Sequence, residues 1–209
     1  MRGVRTLATV AVLFLSLASV ASAGDVTGRG SLGAAIGLMK WTADDETSRD
    51  SQWRPLMQGV FRYAFRPNLE AQFQSWFGWS SYALRGDTVT VVVPSTIGLN
   101  YRFNPASRDV FRVGAGGGVY AWRVTEKSDT SYFISPSDGI VEKREGAAPG
   151  IYAEVGVERF MSEHVTASLD LSYHMMFSKN DRLKDGWGDN DAFAALRVGV
   201  HYYFPLGAK

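Results

Sequence analysis

The stretch Leu69-Glu-Ala-Gln-Phe-Gln-Ser-Trp-Phe77 alternates apolar and polar side chains. In an extended chain this spacing puts the apolar side chains on one face and Glu70, Gln72 and Gln74 on the other. A period of two residues is typical of a β-strand, whereas an amphipathic helix repeats about every 3.6 residues. The sequence therefore predicts a two-faced strand over Leu69–Trp79.

The same alternation recurs along the chain and predicts eight strands. They span Ser31–Trp41, Leu56–Phe65, Leu69–Trp79, Val91–Phe103, Val110–Trp122, Ile151–Phe160, Val165–Phe177 and Ala192–Phe204. Each run has about 9 to 13 residues, the length that a tilted strand needs to cross a bilayer, whereas strands of soluble proteins typically have about 5 or 6. The predicted strands are therefore long enough to span a membrane.

The connections between these strands alternate in length. The short ones are Arg66–Asn68, Asn104–Asp109 and Met161–His164, and the long polar ones are Thr42–Trp53, Ser80–Thr88, Arg123–Pro149 and Ser178–Asp191. Short turns at one end and long loops at the other are typical of a transmembrane barrel whose turns face the periplasm. We therefore predict an all-β fold, an eight-stranded antiparallel up-and-down transmembrane β-barrel, in preference to a soluble β-sandwich.

One face of the predicted strands is almost free of charge. A Lys or Arg that faces lipid costs about 2 to 4 kcal/mol at the bilayer midplane and about 0 to 1 kcal/mol at the interface. Only Lys40 and Arg159 continue the apolar face with a charge, and both lie at strand ends. This face is therefore predicted to contact lipid. A lipocalin-like carrier is disfavoured because its apolar side chains would lie inside.

Aromatic residues cluster at both ends of the predicted lipid face. Those beside the short turns are Tyr63, Phe65, Tyr101, Phe103, Phe111, Tyr202 and Phe204, and those near the long loops are Trp41, Trp53, Phe77, Trp79 and Phe177. Aromatic girdles at the two membrane surfaces are a feature of transmembrane barrels. The sequence predicts one girdle at each end.

The opposite face is polar and is predicted to fill the barrel. It carries four cations and four anions, namely Arg62, Arg102, Arg112, Arg197, Glu70, Glu154, Glu158 and Asp170. Buried charges persist only when they are paired and hydrogen-bonded, so we expect a neutral interior network. The interior of an eight-stranded barrel is just wide enough for side chains, which favours a plug over a wide pore.

The N-terminal segment has the pattern of a signal peptide. Arg2 and Arg5 precede the apolar run Leu7–Val20, and Ala21-Ser22-Ala23 supplies the small residues that signal peptidase requires. We predict a signal peptide over residues 1–23 and a barrel domain over residues 24–209. A membrane anchor is the weaker alternative because the apolar run is too short for a spanning helix.

Composition excludes several classes of function. The formal net charge is only +1, so nothing favours nucleic acid as a partner, and the absence of cysteine excludes disulfides, thiol catalysis and thiolate metal sites. No cofactor or metal site is expected, since His164 and His201 lie in different parts of the predicted fold.

The chain also resembles a known family. The two-faced strands, the predicted signal peptide and the segment Arg112-Val-Gly-Ala-Gly-Gly-Gly-Val-Tyr-Ala-Trp122 are similar to the small eight-stranded outer-membrane β-barrels, which include OmpA-like, OmpX-like and opacity-type proteins. The pattern Arg197-x-Gly199-x-x-Tyr202-x-Phe204 resembles the signal that the barrel-assembly machinery recognises, although Pro205–Lys209 follow it. The resemblance implies an integral protein in the outer membrane of a double-membraned bacterium, in contact with lipid and lipopolysaccharide.

Two motifs invite a chemical interpretation. Gly114-Ala-Gly116-Gly-Gly118 lies within a predicted strand, whereas a phosphate-binding loop requires a strand-to-helix turn, so we expect these glycines to make room for bulky inward side chains such as Tyr152. Asp170-x-Ser172-x-His174 suggests a hydrolytic triad, but residues two apart on a strand lie about 6.5 to 7 Å apart, which disfavours a hydroxyl bonded to its base. We therefore expect no catalytic residues.

Three functions remain open. The leading hypothesis is a non-enzymatic barrel that contributes to the envelope and displays four loops for contact with a surface ligand. A lipid A-modifying enzyme is the second, although the His-x-Ser motif of the known barrel deacylase is absent. A narrow, low-conductance channel is the third, and it would need a continuous hydrated path through the interior.

Overall fold

The computed structural model describes residues 25–42, 53–81, 88–126, 133–134, 141–142, 145–177 and 191–206. The predicted signal peptide over residues 1–23 and most of each long connection lie outside these ranges. The strands are β1 (Arg29–Trp41), β2 (Arg54–Arg66), β3 (Leu69–Ser81), β4 (Thr88–Phe103), β5 (Asp109–Glu126), β6 (Phe133–Ile134), β7 (Val141–Glu142), β8 (Glu145–Phe160), β9 (Val165–Met176) and β10 (Asp191–Pro205).

Eight of these strands form a closed antiparallel barrel. Its order around the circumference is β1-β10-β9-β8-β5-β4-β3-β2, so that consecutive barrel strands are neighbours and β1 closes against β10. The short strands β6 and β7 pair only with each other, in the connection between β5 and β8. The predicted eight-stranded up-and-down barrel is confirmed.

Seven of the eight barrel strands are longer than predicted, mainly toward the long connections, and β9 ends one residue earlier than predicted, at Met176. The β4–β5 ladder continues to the pair Thr88 and Glu126, and the β5–β8 ladder continues to the pair Arg123 and Glu145. Backbone hydrogen bonds hold these extensions together, and they do not require the side chains to alternate. The alternation of apolar and polar side chains therefore marks only the part of each strand that lies between lipid on one face and the polar lumen on the other.

Both ends of the described chain lie at the short-turn end of the barrel, which we define by the connections 66–69, 103–109 and 160–165. The amide of Gly28 donates to the carbonyl of Ala64 over 2.7 Å, and the amide of Leu206 donates to the carbonyl of Gly28. Gly28 has a φ of 75°, a conformation that costs a glycine nothing. The hydroxyl and amide of Thr27 donate to Asp25 and lower the pKa of its carboxyl group.

The outward face is apolar and exposed, as the sequence predicts. Large side chains such as Leu32, Ile36, Phe73 and Ile97 are at least half exposed, and the outward aromatic residues beside the short turns, among them Tyr101 and Phe111, are exposed as well. An exposed apolar surface of this extent requires lipid around it.

One residue of the predicted second girdle is placed differently. Trp41 is only 2% exposed and lies inside the barrel, where its ring packs edge-on against Phe193 with centroids 5.0 Å apart. The reason is parity: Trp41 lies two residues from the inward-facing Met39 on β1, so both side chains point into the lumen. Trp53, Phe77 and Phe177 remain exposed, as expected for the girdle.

The interior has three layers. At the long-loop end, which lies opposite the short turns, an aromatic layer contains Met39, Trp41, Leu56, Trp76, Val92, Tyr120, Trp122, Ala148, Met176, Phe193 and Ala195. At the short-turn end a smaller apolar layer contains Val26, Ala64, Val110, Phe160 and Tyr203. The charged residues lie between the two layers. The polar filling thus lies between apolar side chains at both ends.

Among the described residues, no helix is long and apolar enough to cross a membrane.

Candidate functional site: the charged interior of the barrel

All eight charged residues named from the sequence point into the lumen and are buried. None of Arg62, Arg102, Arg112, Arg197, Glu70, Glu154, Glu158 and Asp170 is more than 4% exposed. They come from seven different strands, so only closure of the barrel brings them together.

Glu70 lies at the centre of a group of three arginines. Its carboxylate is 3.3 Å from Arg112, 3.7 Å from Arg62 and 3.8 Å from Arg102. The side-chain amide of Asn100 donates to the same carboxylate over 3.0 Å. One anion therefore offsets part of the charge of three cations.

Glu158 and Asp170 supply the remaining negative charge in this group. Glu158 lies 3.6 Å from Arg62 and 3.7 Å from Arg112, and it accepts hydrogen bonds from the hydroxyl of Tyr203. Asp170 accepts a short hydrogen bond from Arg112. Arg112 consequently contacts three carboxylates, and Arg62, which lies 4.0 Å from Asp170, contacts the same three.

Glu154 and Arg197 form a second group nearer the long-loop end. The Arg197 guanidinium donates to Glu154 and, over 3.0 Å, to the side-chain oxygen of Gln74. Gln72 donates weakly to Glu154 over 3.4 Å, and its own oxygen accepts from Arg62 over 2.7 Å. Gln72 therefore links the two groups into one network.

Glycines on the barrel wall make room for these long side chains. A Cβ atom at Gly37 on β1 would collide with the backbone oxygen of Leu196 and with Arg197. One at Gly116 on β5 would collide with the backbone oxygen of Ile97 and with the ring of Tyr152. The contact at Gly116 is the one expected from the sequence. The space beside Gly114 is instead taken by Asn100, because the two residues are directly paired between β4 and β5.

Arg102 is the least compensated charge of the interior. It is fully buried, yet none of its three guanidinium nitrogens has a hydrogen-bond partner within the described residues, and its ion pair with Glu70 spans 3.8 Å. Arg112 lies directly opposite it on β5. A buried cation beside a like charge is costly, so Arg102 stabilises the barrel least.

The serine and histidine of the suspected triad do meet, contrary to the geometric expectation. Ser172 Oγ lies 2.9 Å from His174 Nε2, because the imidazole leans along the strand toward the hydroxyl. His174 Nδ1 is hydrogen-bonded to Tyr120 rather than to Asp170, which pairs with Arg112. The ring of His174 is stacked between Tyr152 and Phe193, with centroids 5.5 and 4.9 Å away.

A second serine and histidine pair was not found from the sequence. Ser168 Oγ lies 3.1 Å from His201 Nε2 and donates to Asp170 over 2.9 Å. His201 is on β10 and pairs with Thr166 of β9, so its contact with Ser168 depends on the register of the two strands. No spacing within one strand could have indicated it. Both serine and histidine pairs are sealed inside the barrel.

The described residues hold no group of three or more His, Asp or Glu side chains arranged to bind a metal ion. The residues of the C-terminal pattern all lie on β10. Arg197 and Gly199 face the lumen, whereas Tyr202 is 55% exposed on the outward face and Phe204 follows it on the same face.

The sequence matches the model of a protein family described as the outer membrane protein beta-barrel domain, over residues 8–204. The chain belongs to this family. As an outer-membrane β-barrel, the protein lies in the outer membrane with its apolar outward face in contact with lipid. No curated protein matches the sequence.

Several solved structures share this fold. Neisserial surface protein A matches with a TM-score of 0.60 and 13% identity, over 85% of this chain and 98% of that one. OprG of Pseudomonas aeruginosa matches with a TM-score of 0.53 and 13% identity, over 87% and 98%. Ail, the attachment invasion locus protein of Yersinia pestis, matches with a TM-score of 0.51 and 13% identity, over 85% and 99%. At such low identities the likeness is one of fold.

Proposed function

We propose that this outer-membrane β-barrel is non-enzymatic, that its closed interior serves stability, and that its four long connections make contacts outside the cell. The observation that carries the proposal is the filled lumen. Ion pairs cross it in the middle, and an apolar layer covers it at each end. A protein built this way presents its surface rather than its interior to other molecules.

An enzymatic role is disfavoured because substrate has no route to the candidate groups. Ser172 and His174 are at most 2% exposed, and Ser168 and His201 at most 4%. On the outward face the described polar contact between Ser75 and Ser95 joins two hydroxyl groups without an acid or base. Nucleophilic catalysis requires an activating base within hydrogen-bond reach of the nucleophile.

The proposal includes the route to the membrane. Signal peptidase would cut after Ala23, so that the mature chain begins shortly before the turn at Asp25 and Gly28. The outward aromatic residues Tyr202 and Phe204, at the short-turn end of β10, would then be read by the barrel-assembly machinery. Lipopolysaccharide is the lipid that we expect around the outer half of the barrel.

Planar-bilayer recording of the purified protein tests the sealed lumen. We expect no steady current, because Arg62 and its partners fill the middle of the lumen. A steady, ion-selective current that changes with Glu154→Ala would establish the narrow channel instead. The protein should migrate as a heat-modifiable band before recording, which ensures that silence does not come from unfolded material.

A further inference from the structure

The outward face carries a groove at the long-loop end of β4, β5 and β8. It has a volume of about 550 Å³ and is lined by Val91, Val93, Ala121, Trp122, Arg123, Glu145 and Gly146. Its size falls within the range of about 300 to 1,000 Å³ that is common for ligand pockets. The edge of the groove nearest the long connections has one cation, Arg123, and one anion, Glu145. The rest of the groove is apolar.

Cross-strand pairing places the charged edge next to the aromatic residues at the long-loop end, and its position along β5 gives its height. Trp79 pairs with Val91, Val91 pairs with Arg123, and Arg123 pairs with Glu145. All four side chains therefore lie in one row around the barrel. Trp79 faces outward and packs against Phe77, with ring centroids 5.8 Å apart, as expected for an interfacial girdle. Arg123 lies 12 residues beyond Phe111 on β5, which is about 40 Å along the strand and about 30 Å along the membrane normal at a tilt of about 40°. This distance exceeds the apolar band of about 25 Å, so Arg123 lies at the level of the lipid headgroups, and the paired residues Val93 and Ala121 lie deeper, at the level of the acyl chains.

The cation of this row is available to a ligand. The Arg123 side chain is 54% exposed and the Glu145 side chain 62%, and the closest N–O distance between them is 3.8 Å. An exposed ion pair at that distance contributes little and is easily displaced. A guanidinium group presents paired N–H donors that match a phosphate, and at this height it can reach one without leaving the barrel surface.

We propose that this groove binds one molecule of lipid A, with a phosphate group on Arg123 and an acyl chain along Val93 and Ala121. The inference rests on the proposed function, because the groove faces the outer leaflet only if the long connections lie outside the cell. Lipid A has an anionic phosphate directly above closely packed acyl chains. The phosphate matches Arg123, and an acyl chain matches the apolar part of the groove. Glu145 lies beside the guanidinium group and repels the phosphate, so it limits the affinity.

Native mass spectrometry of the full-length protein, purified from outer membranes and exchanged into detergent, tests this assignment with added lipid A that carries both phosphates. Arg123→Ala should weaken binding by about tenfold or more, since a charge-assisted contact is lost. Glu145→Gln should strengthen it, because the repulsion is removed. Ala121→Phe, which fills the groove without changing the charge, should also weaken binding. Lys40→Ala is the matched control, since Lys40 is an outward cation at the end of β1, on the opposite side of the barrel.

Three results would overturn the proposal. Arg123→Ala could bind lipid A as well as Lys40→Ala does, or dephosphorylated lipid A could bind as well as the phosphorylated form. Alternatively, Glu145→Gln could weaken binding and phosphatidylethanolamine could bind better than lipid A, which would assign the site to a zwitterionic phospholipid. Heat-modifiable migration of each variant shows whether it is folded. If all folded variants bind lipid A as well as the unchanged protein does, the lipid site is refuted but the proposed function is not. A current in the bilayer recording would refute the proposed sealed barrel.

Discussion

Arg62 Nη1 on β2 lies 3.6 Å from Glu158 Oε1 on β8, the strand directly opposite in the barrel. A contact between opposite walls can form only if the side chains meet in the middle of the lumen. The same guanidinium group is 3.7 Å from Glu70 on the neighbouring strand β3. Arg62 therefore bridges opposite walls of the barrel through the middle of the lumen.

The pair of Glu154 and Arg197 tests the stability of the interior network. Glu154→Ala leaves Arg197 buried without its carboxylate and should lower the free energy of unfolding by about 3 to 5 kcal/mol. The double variant Glu154→Ala/Arg197→Ala should cost less than the sum of the two single variants, by about 0.5 to 3 kcal/mol. Reversible unfolding in detergent or lipid measures all three. Strict additivity would mean that the two side chains do not interact.

The two arginines that face each other across β4 and β5 should respond differently to removal. Arg112→Met removes one of the two cations that three carboxylates share, Arg62 being the other, and should destabilise the barrel by about 3 to 5 kcal/mol. Arg102→Met removes a cation without hydrogen bonds within the described residues, so the stability should change by less than about 1 kcal/mol or increase. The chemical-denaturation midpoints of the two variants, each compared with that of the unchanged protein, measure the two losses of stability. Equal losses would show that Arg102 is as well compensated as Arg112.

The lipid-facing surface can be tested at Leu169, which is 40% exposed near the middle of β9. Leu169→Arg should cost about 2 to 4 kcal/mol or prevent assembly, because the charge would face hydrocarbon. Ser168→Ala is its inward neighbour and should cost only about 1 kcal/mol through its lost hydrogen bonds. Folding into vesicles, followed by heat-modifiable migration, compares the two. The reverse ranking would mean that the faces are assigned the wrong way round.

The orientation in the membrane can be tested with protease-accessible tags. A tag at Asp138, in the long connection that contains β6 and β7, should be cleaved on intact cells, because long loops face outward. A tag at Asn68, in the turn between β2 and β3, should be cleaved only after the outer membrane is permeabilised. Asp138 itself lies outside the described residues. Protection at Asp138 together with cleavage at Asn68 would invert the assigned orientation.

The sequence by itself determined the barrel, the lipid face and the identity of the interior charges. The alternation of Leu69, Ala71 and Phe73 with Glu70, Gln72 and Gln74 is sufficient, because a strand between lipid and a polar interior must have two different faces. The same parity rule would have placed Trp41 inside. The prediction that Trp41 belongs to the girdle was wrong, because parity with Met39, and not nearness to the strand end, decides which face the side chain lies on.

The partners of the charged residues were decided only by the tertiary structure. The proximity of Arg62 and Glu70 across a tight turn can be read from the sequence, but the contact of Arg62 with Glu158 depends on which strands lie opposite each other once β1 closes on β10. The contact of Ser168 with His201 likewise depends on register, and that of Arg112 with Asp170 on the reach of side chains over β8. The spacing of residues within one strand cannot predict such contacts, because they arise from closure of the whole sheet.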